Sequence, residues 1–271
     1  MNKNLLRIIV IFLLLLILAI FLYNNKEKEI GEGEFNILDE VPVNGFSSVR
    51  LISGNIKPIY DSLDIQNKKD KEKFEKELRK ELIELLNMPL EKIPTSKMFR
   101  REFHEVDKGK YIEKKISILT SNFSVAYAYL LVPKNVEFPA PAIMAMHQHG
   151  GTKYGAKEVI GEIGDPSLSY GKELAERGYV VFAMDASSFG GRQDFNNDSF
   201  SIKEQRAAQD LFKRGYSPLG IIVQEDLVSL DFLSSLDFVD KENIGCIGHS
   251  FGGVRCMYLS ALDNRIKATV L

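Results

Sequence analysis

From Ala142 to Leu271 the chain alternates short, almost wholly apolar runs with stretches of helical period, and that alternation leaves few architectures open. The apolar runs are Ala142 to Met146, Tyr179 to Met184, Ile244 to Gly248 and Ile266 to Leu271. Between them, Tyr170 to Arg177, the row Val223, Leu227, Leu230 and Leu233, and Gly252 to Leu262 read as helices. A strand that is apolar at every position is covered on both faces, and strands joined through helices become parallel neighbours. The expected fold class is therefore α/β: a mostly parallel sheet with helices on both faces.

Upstream, Tyr111 to Thr120 and Val125 to Val132 are β-rich runs joined by a turn containing Ser121 and Asn122, which predicts a hairpin. Before it, Lys69 to Asn87 sets Phe74, Leu78, Leu82, Leu85 and Leu86 on one helical stripe that should pack on the main domain. Residues 24–68 are polar and interrupted by Gly31, Gly33 and Pro42, as in a tether followed by an irregular lead-in. Between Ala186 and Gly220 lies a long stretch without clear periodicity, rich in Ser, Gly, Asn and Asp. Loops of that length are usually functional or disordered.

At the N-terminus, Leu5 to Tyr23 is apolar apart from Arg7, with 16 uninterrupted apolar residues from Ile8 onward. That length nearly spans a bilayer, and a small-x-small cleavage signal is missing. Lys3 and Arg7 hold the N-terminus on the cytoplasmic side, so the expectation is a single-pass cell-membrane protein with its main domain extracytoplasmic. A cleaved leader and secretion is the alternative, and a buried core helix a weaker one. The domains are then 1–23 anchor, 24–68 tether and 69–271 α/β domain. A net charge of -2 without basic blocks argues against nucleic acid as a partner. Cys246 and Cys256 are too few for a disulfide framework and read as buried, unreactive thiols.

The chemistry concentrates at Gly248-His249-Ser250-Phe251-Gly252, which fits G-x-S-x-G. A random chain of this length shows the pattern roughly once in ten, so the context decides. Here a strand precedes it and a helix follows, as a serine on a sharp, strained turn requires. The duller reading is a serine N-cap on an ordinary strand-to-helix connection. If Ser250 is a nucleophile, the oxyanion of its tetrahedral intermediate needs two backbone N–H donors. Phe251 supplies one; the other falls in His147-Gln148-His149-Gly150-Gly151, with His149 favoured over Gly150. His147 and His149 could instead form a zinc pair with Asp185, but no histidine cluster accompanies them, so no metal or other cofactor is expected. Asp185 and Arg192 stand where open α/β sheets bind ligands and are candidate substrate contacts; a local surface ion pair is the alternative for Arg192.

Residues 129–271 resemble the dienelactone hydrolase-like branch of the α/β-hydrolase superfamily, near acetyl xylan esterase-like proteins. The likeness rests on YLLVPK at 129–134, MHQHGG at 146–151, YGKELAERGYVVFAMD at 170–185, SFGGR at 188–192, IGCIGHSFGG at 244–253 and ALDNRIKATVL at 261–271. It implies the α/β-hydrolase fold and serine esterase chemistry on a small-molecule or carbohydrate-linked ester. In this superfamily the triad runs serine, acid, histidine. The chain ends at Leu271, in the first strand after the elbow, so the expectation is a C-terminally truncated fold whose acid and histidine lie beyond it. His249 and His104 are poor substitutes. Two other readings stay open: a non-catalytic remnant acting as a binding protein, and a serine peptidase on the same fold.

Overall fold

The computed structural model describes residues 68–271 apart from 90, 91, 123, 151–153 and 194–197. Seven strands form one sheet: β1 (Phe99–Asp107), β2 (Tyr111–Ser121), β3 (Ser124–Pro133), β4 (Ala140–Met146), β5 (Val180–Met184), β6 (Val239–Gly248) and β7 (Ile266–Val270), in the order β1-β2-β3-β5-β4-β6-β7. The four strands β5, β4, β6 and β7 run parallel, and β1, β2 and β3 extend the sheet antiparallel from the β5 side. The helices are α1 (Lys68–Leu85), α2 (Tyr170–Glu176), α3 (Phe200–Lys213), α4 (Pro218–Ser234) and α5 (Phe251–Leu262), besides shorter turns.

Because successive strand side chains point to opposite faces, each apolar strand feeds two cores. Val180, Phe182 and Met184 join Ala142, Met144 and Met146 on one face, where Val228, Leu230 and Leu233 of α4 and Leu259 of α5 cover them. Val181 and Ala183 face the other way with Ala145, against Ala156, Val159 and Ala175. Fully burying a side chain such as Phe182 or Leu230 contributes about 1.5–3 kcal/mol, so truncating either to alanine costs several kcal/mol.

The hairpin of β2 and β3 forms as expected, and α1 packs on the domain: Arg79 Nε donates to the Ala261 carbonyl at 3.0 Å and Leu86 is buried beside Val223. Leu85 departs from the expected stripe and is 69 % exposed, because the helix ends there and the chain turns Leu86 and Met88 inward instead. The stretch 186–220 holds the 14-residue helix α3, which has no fully buried residue and so left no strong apolar period in the sequence.

The reading of Cys246 and Cys256 as free thiols is corrected: they form a disulfide. The elbow reverses the chain so that α5 lies back along β6, which brings two residues 10 apart to a Cα separation of 5.6 Å. That lies within bonding range, and a count of cysteines says nothing about such a juxtaposition. The apolar run from Leu5 to Tyr23 lies outside the described residues; among those described, no helix is long and apolar enough to cross a membrane.

Candidate active site

β6 delivers the chain to Ser250 and α5 leaves it. Between them Ser250 is exposed and holds φ 54° and ψ −116°, a backbone state that side-chain-bearing residues avoid. Residues held this way cost about 1–3 kcal/mol and persist only where their surroundings over-determine them. Those surroundings are visible. A Cβ on Gly248 would lie 2.2 Å from the Gly252 carbonyl carbon, and one on Gly252 would lie 2.1 Å from the Met146 oxygen. Only glycine lets β6, α5 and the end of β4 approach this closely. The N–H of Gly252 donates to the His249 carbonyl at 2.9 Å and that of Val254 to the Ser250 carbonyl at 3.1 Å. The N-cap alternative is not what forms: the Ser250 side chain makes no capping hydrogen bond, and its dihedrals are not the extended ones of a cap.

Phe251 is the first residue of α5, so its N–H has no acceptor within the helix and lies at the positive end of the helix dipole. The loop after β4 runs alongside. Tyr170 ties the two together: its hydroxyl donates to the Met146 carbonyl and accepts the His249 amide, and burial pushes the phenol up to about 12.

Within the loop the two histidines diverge in role. Both rings lie against Phe189, at 5.0 and 5.5 Å between centroids. His147 is buried; its Nδ1–H donates to the Gln148 carbonyl at 2.9 Å and its Nε2 accepts the Ala186 amide at 3.0 Å. Burial, with the Arg255 charge adding to it, pulls its pKa down to about 3, so it is neutral. With both nitrogens engaged it offers no lone pair to a zinc ion, which removes the His147–His149 pair as a ligand set. His149 turns outward, its Nε2 2.9 Å from Glu204 Oε1 on α3, and its ring is bordered by Phe189, Phe200 and Phe251. Phe189 stacks on Phe251 at 5.6 Å. Gly150 has open space where a Cβ would be.

Asp185 and Arg192 lie at the end of β5, as the sequence placed them, but both side chains face inward. Asp185 is buried; its carboxylate oxygens accept the amides of Ala156 at 2.8 Å and Gly191 at 2.9 Å. Burial pushes this carboxyl up, against the pull of those two amides. Arg192 donates to both oxygens of Glu225 at 2.6 Å, to Ser124 Oγ at 2.8 Å and to the Asp185 carbonyl at 3.1 Å. Burial alone would raise Glu225, but Arg192 and the hydroxyls of Thr120 and Ser124 outweigh it and hold the carboxyl low. The pair organises the loops around the site.

Asp226, Arg255, Tyr170 and Glu204 also belong to this region and were not singled out from sequence. The one available signal was Gln224-Glu225-Asp226, three polar residues in an otherwise apolar helix. Among the described residues no histidine is hydrogen-bonded to Ser250.

A serine presented on a strained turn between a buried parallel strand and a helix, beside the loop that follows β4, defines an α/β-hydrolase fold. The abhydrolase family profile matches residues 38–271, and the chain belongs to that family. It is similar to YtaP of Bacillus subtilis (strain 168), assigned as a hydrolase, at 33 % identity over 147 residues, covering 54 % of this chain and 47 % of YtaP. It is also similar to a crystal structure from Bacteroides fragilis NCTC 9343, assigned as an acetyl xylan esterase, with TM-score 0.63, 24 % identity, and coverage of 74 % of this chain and 53 % of that one. The chain thus spans about half the length of each of these relatives.

Proposed function

We propose that the protein is a serine hydrolase that cleaves a small or carbohydrate-linked ester through an acyl-enzyme on Ser250. The observation that carries this reading is the exposed, non-glycine residue at φ 54° on the turn between β6 and α5, held there by two glycines whose replacement the backbone forbids. Strain of this kind at an exposed hydroxyl is a cost to stability with no structural return. Ser250 Oγ attacks the ester carbonyl as a general base outside the described residues takes its proton, the same group returns that proton to the alcohol as the C–O bond breaks, and water, deprotonated in turn, then releases the acid. The oxyanion formed at each step meets the Phe251 amide at the start of α5, with the amide of His149 as second donor. The contacts of the His149 ring with Glu204, Phe200 and Phe251 fix the loop that carries this amide.

An ester as substrate class is supported by the family and by the assignment of the Bacteroides protein as an acetyl xylan esterase. Anchoring through residues 5–23 with the domain extracytoplasmic rests on the apolar run, and the disulfide supports it, because such bonds persist in oxidising compartments.

The test is a fluorophosphonate probe on the full-length protein, followed by peptide mass spectrometry, alongside turnover of p-nitrophenyl acetate. Ser250 should carry the label, and Ser250→Ala should abolish both label and turnover. Undiminished turnover in Ser250→Ala would overturn the reading.

A further inference from the structure

We propose that Cys246 and Cys256 are positioning residues for the nucleophile: their disulfide locks the strand that enters the elbow to the helix that leaves it, and so sets Ser250 against its oxyanion donor. This rests on the reading of Ser250 as nucleophile. Cys246 lies on β6 two residues before Gly248, and Cys256 lies on α5 six residues after Ser250. The closed loop therefore runs up β6, through the strained serine and back down α5, with Ser250 near its apex. Both cysteines are buried, 2 % and 0 % exposed, in the core cluster that β6, α4 and α5 share.

The remaining restraints at the apex are non-covalent. Among them are the Gly248–Gly252 and Gly252–Met146 contacts, the hydrogen bonds from Gly252 N–H to His249 and Val254 N–H to Ser250, the Tyr170 hydroxyl on the His249 amide, and the Arg255–Asp226 pair further along α5. Each of these can open when α5 shifts along β6. The peptide bond fixes the distance from Ser250 to the Phe251 nitrogen, so such a shift acts through the Ser250 ψ, −116° here, and turns the Phe251 N–H relative to Ser250 Oγ. The register between strand and helix thus sets the direction of the oxyanion donor about the nucleophile. A disulfide across that boundary removes the sliding mode without occupying the site. Misplacement of reacting groups by about 1 Å can cost about a hundredfold in rate, so a covalent restraint here acts on chemistry more than on binding.

The experiment compares the full-length protein with its Cys246→Ala/Cys256→Ala variant. First, intact mass after iodoacetamide in denaturant, with and without prior reduction, counts the thiols; two free thiols in the unreduced protein would overturn the proposal. Second, fluorophosphonate labelling of Ser250 and ester turnover are measured well below the melting temperature of both forms. The expected result is labelling and kcat slower by about tenfold to a hundredfold, with KM changed less than about twofold. Equal labelling rates in the two forms, whatever the change in melting temperature, would mean that the bond only fills the core. If the double variant does not fold, the wild-type protein is reduced and then reoxidised, and the slow labelling must appear and revert. Hydrogen exchange of the amides from His249 to Val254 gives a readout independent of chemistry: it should quicken at least about tenfold without the bond. If the intact protein fails to label at Ser250 while this exchange difference is present, the nucleophile reading fails and the restraint stands; unchanged exchange sinks the restraint alone.

Discussion

Arg255 and Asp226 form a two-point ion pair, Nε to Oδ2 at 3.0 Å and Nη2 to Oδ1 at 2.6 Å, with both side chains cut off from solvent. Arg255 belongs to the elbow helix α5, and Asp226 is the neighbour of Glu225, which holds Arg192 of the loop after β5. Two consecutive carboxylates of α4 thus grip two segments that border Ser250. The third guanidinium nitrogen of Arg255, Nη1, is buried without a hydrogen-bond partner among the described residues. A charge pair in such a place is weak evidence for stability but specifies one arrangement, since any other leaves a bare charge inside.

Removing one member should therefore be far worse than removing both. Asp226→Asn and Arg255→Met are each expected to cost about 3–5 kcal/mol in urea denaturation, and the double variant Asp226→Leu/Arg255→Met markedly less than the sum. Additive losses would mean that the two groups do not depend on each other for compensation.

His147 makes a prediction about pH. Its folded-state pKa lies near 3, below the ordinary 6.5, so the unfolded chain takes up the proton first. Stability from this group is complete above pH 6.5 and is lost as pH falls toward 3, at up to about 1.4 kcal/mol per pH unit. Carboxylates held low, such as Glu225 and Asp263, lose stability in the acid direction too, so the readout is a difference. In urea midpoints taken from pH 7 to pH 4, His147→Gln should show the shallower decline. Parallel curves would show that His147 is not held neutral.

The same residues show what the sequence made legible. Val180 to Met184 read as a buried parallel strand because every position is apolar, and the sheet uses both of its faces. β1, with the sequence FRREFHEVD, is exposed throughout, so no burial pattern marked it; its hydrogen bonds to β2 alone make it a strand. The first half of β6 was hidden in the same way by Asp240, Lys241 and Glu242. The elbow was legible because its glycines answer a steric need local to five residues. Arg192 was found as a charged residue at a strand end, but its partner Glu225 lies 33 residues further on, a distance over which sequence period says nothing. The disulfide escaped for that reason also: it depends on how α5 folds back on β6.

The glycines of this region differ in what they do, and alanine separates them. Gly252→Ala drives a methyl group to 2.1 Å from the Met146 oxygen, backbone that cannot step aside, whereas Gly150→Ala meets nothing within 4 Å. Gly252→Ala should destabilise by more than about 2 kcal/mol and abolish fluorophosphonate labelling, because the elbow cannot close. Gly150→Ala should stay within about 1 kcal/mol of wild type in denaturant melts. A Gly252→Ala protein of full stability would contradict the packing of α5 against β4.

Ser250 itself should be replaceable at a gain in stability. Its φ of 54° with ψ of −116° is open to glycine and strained for every residue with a Cβ. Ser250→Gly relieves that strain of about 1–3 kcal/mol and gives back about 0.5–1 kcal/mol through the freer unfolded chain, for a net gain of about 1 kcal/mol. Ser250→Ala keeps the Cβ and the strain, so it should match wild type in stability while losing activity. The order expected in urea denaturation is therefore glycine above alanine, the reverse of the order at a regular helical position, where alanine wins by about 1 kcal/mol. Alanine above glycine would show that the turn is relaxed in solution and that the serine is not held under strain.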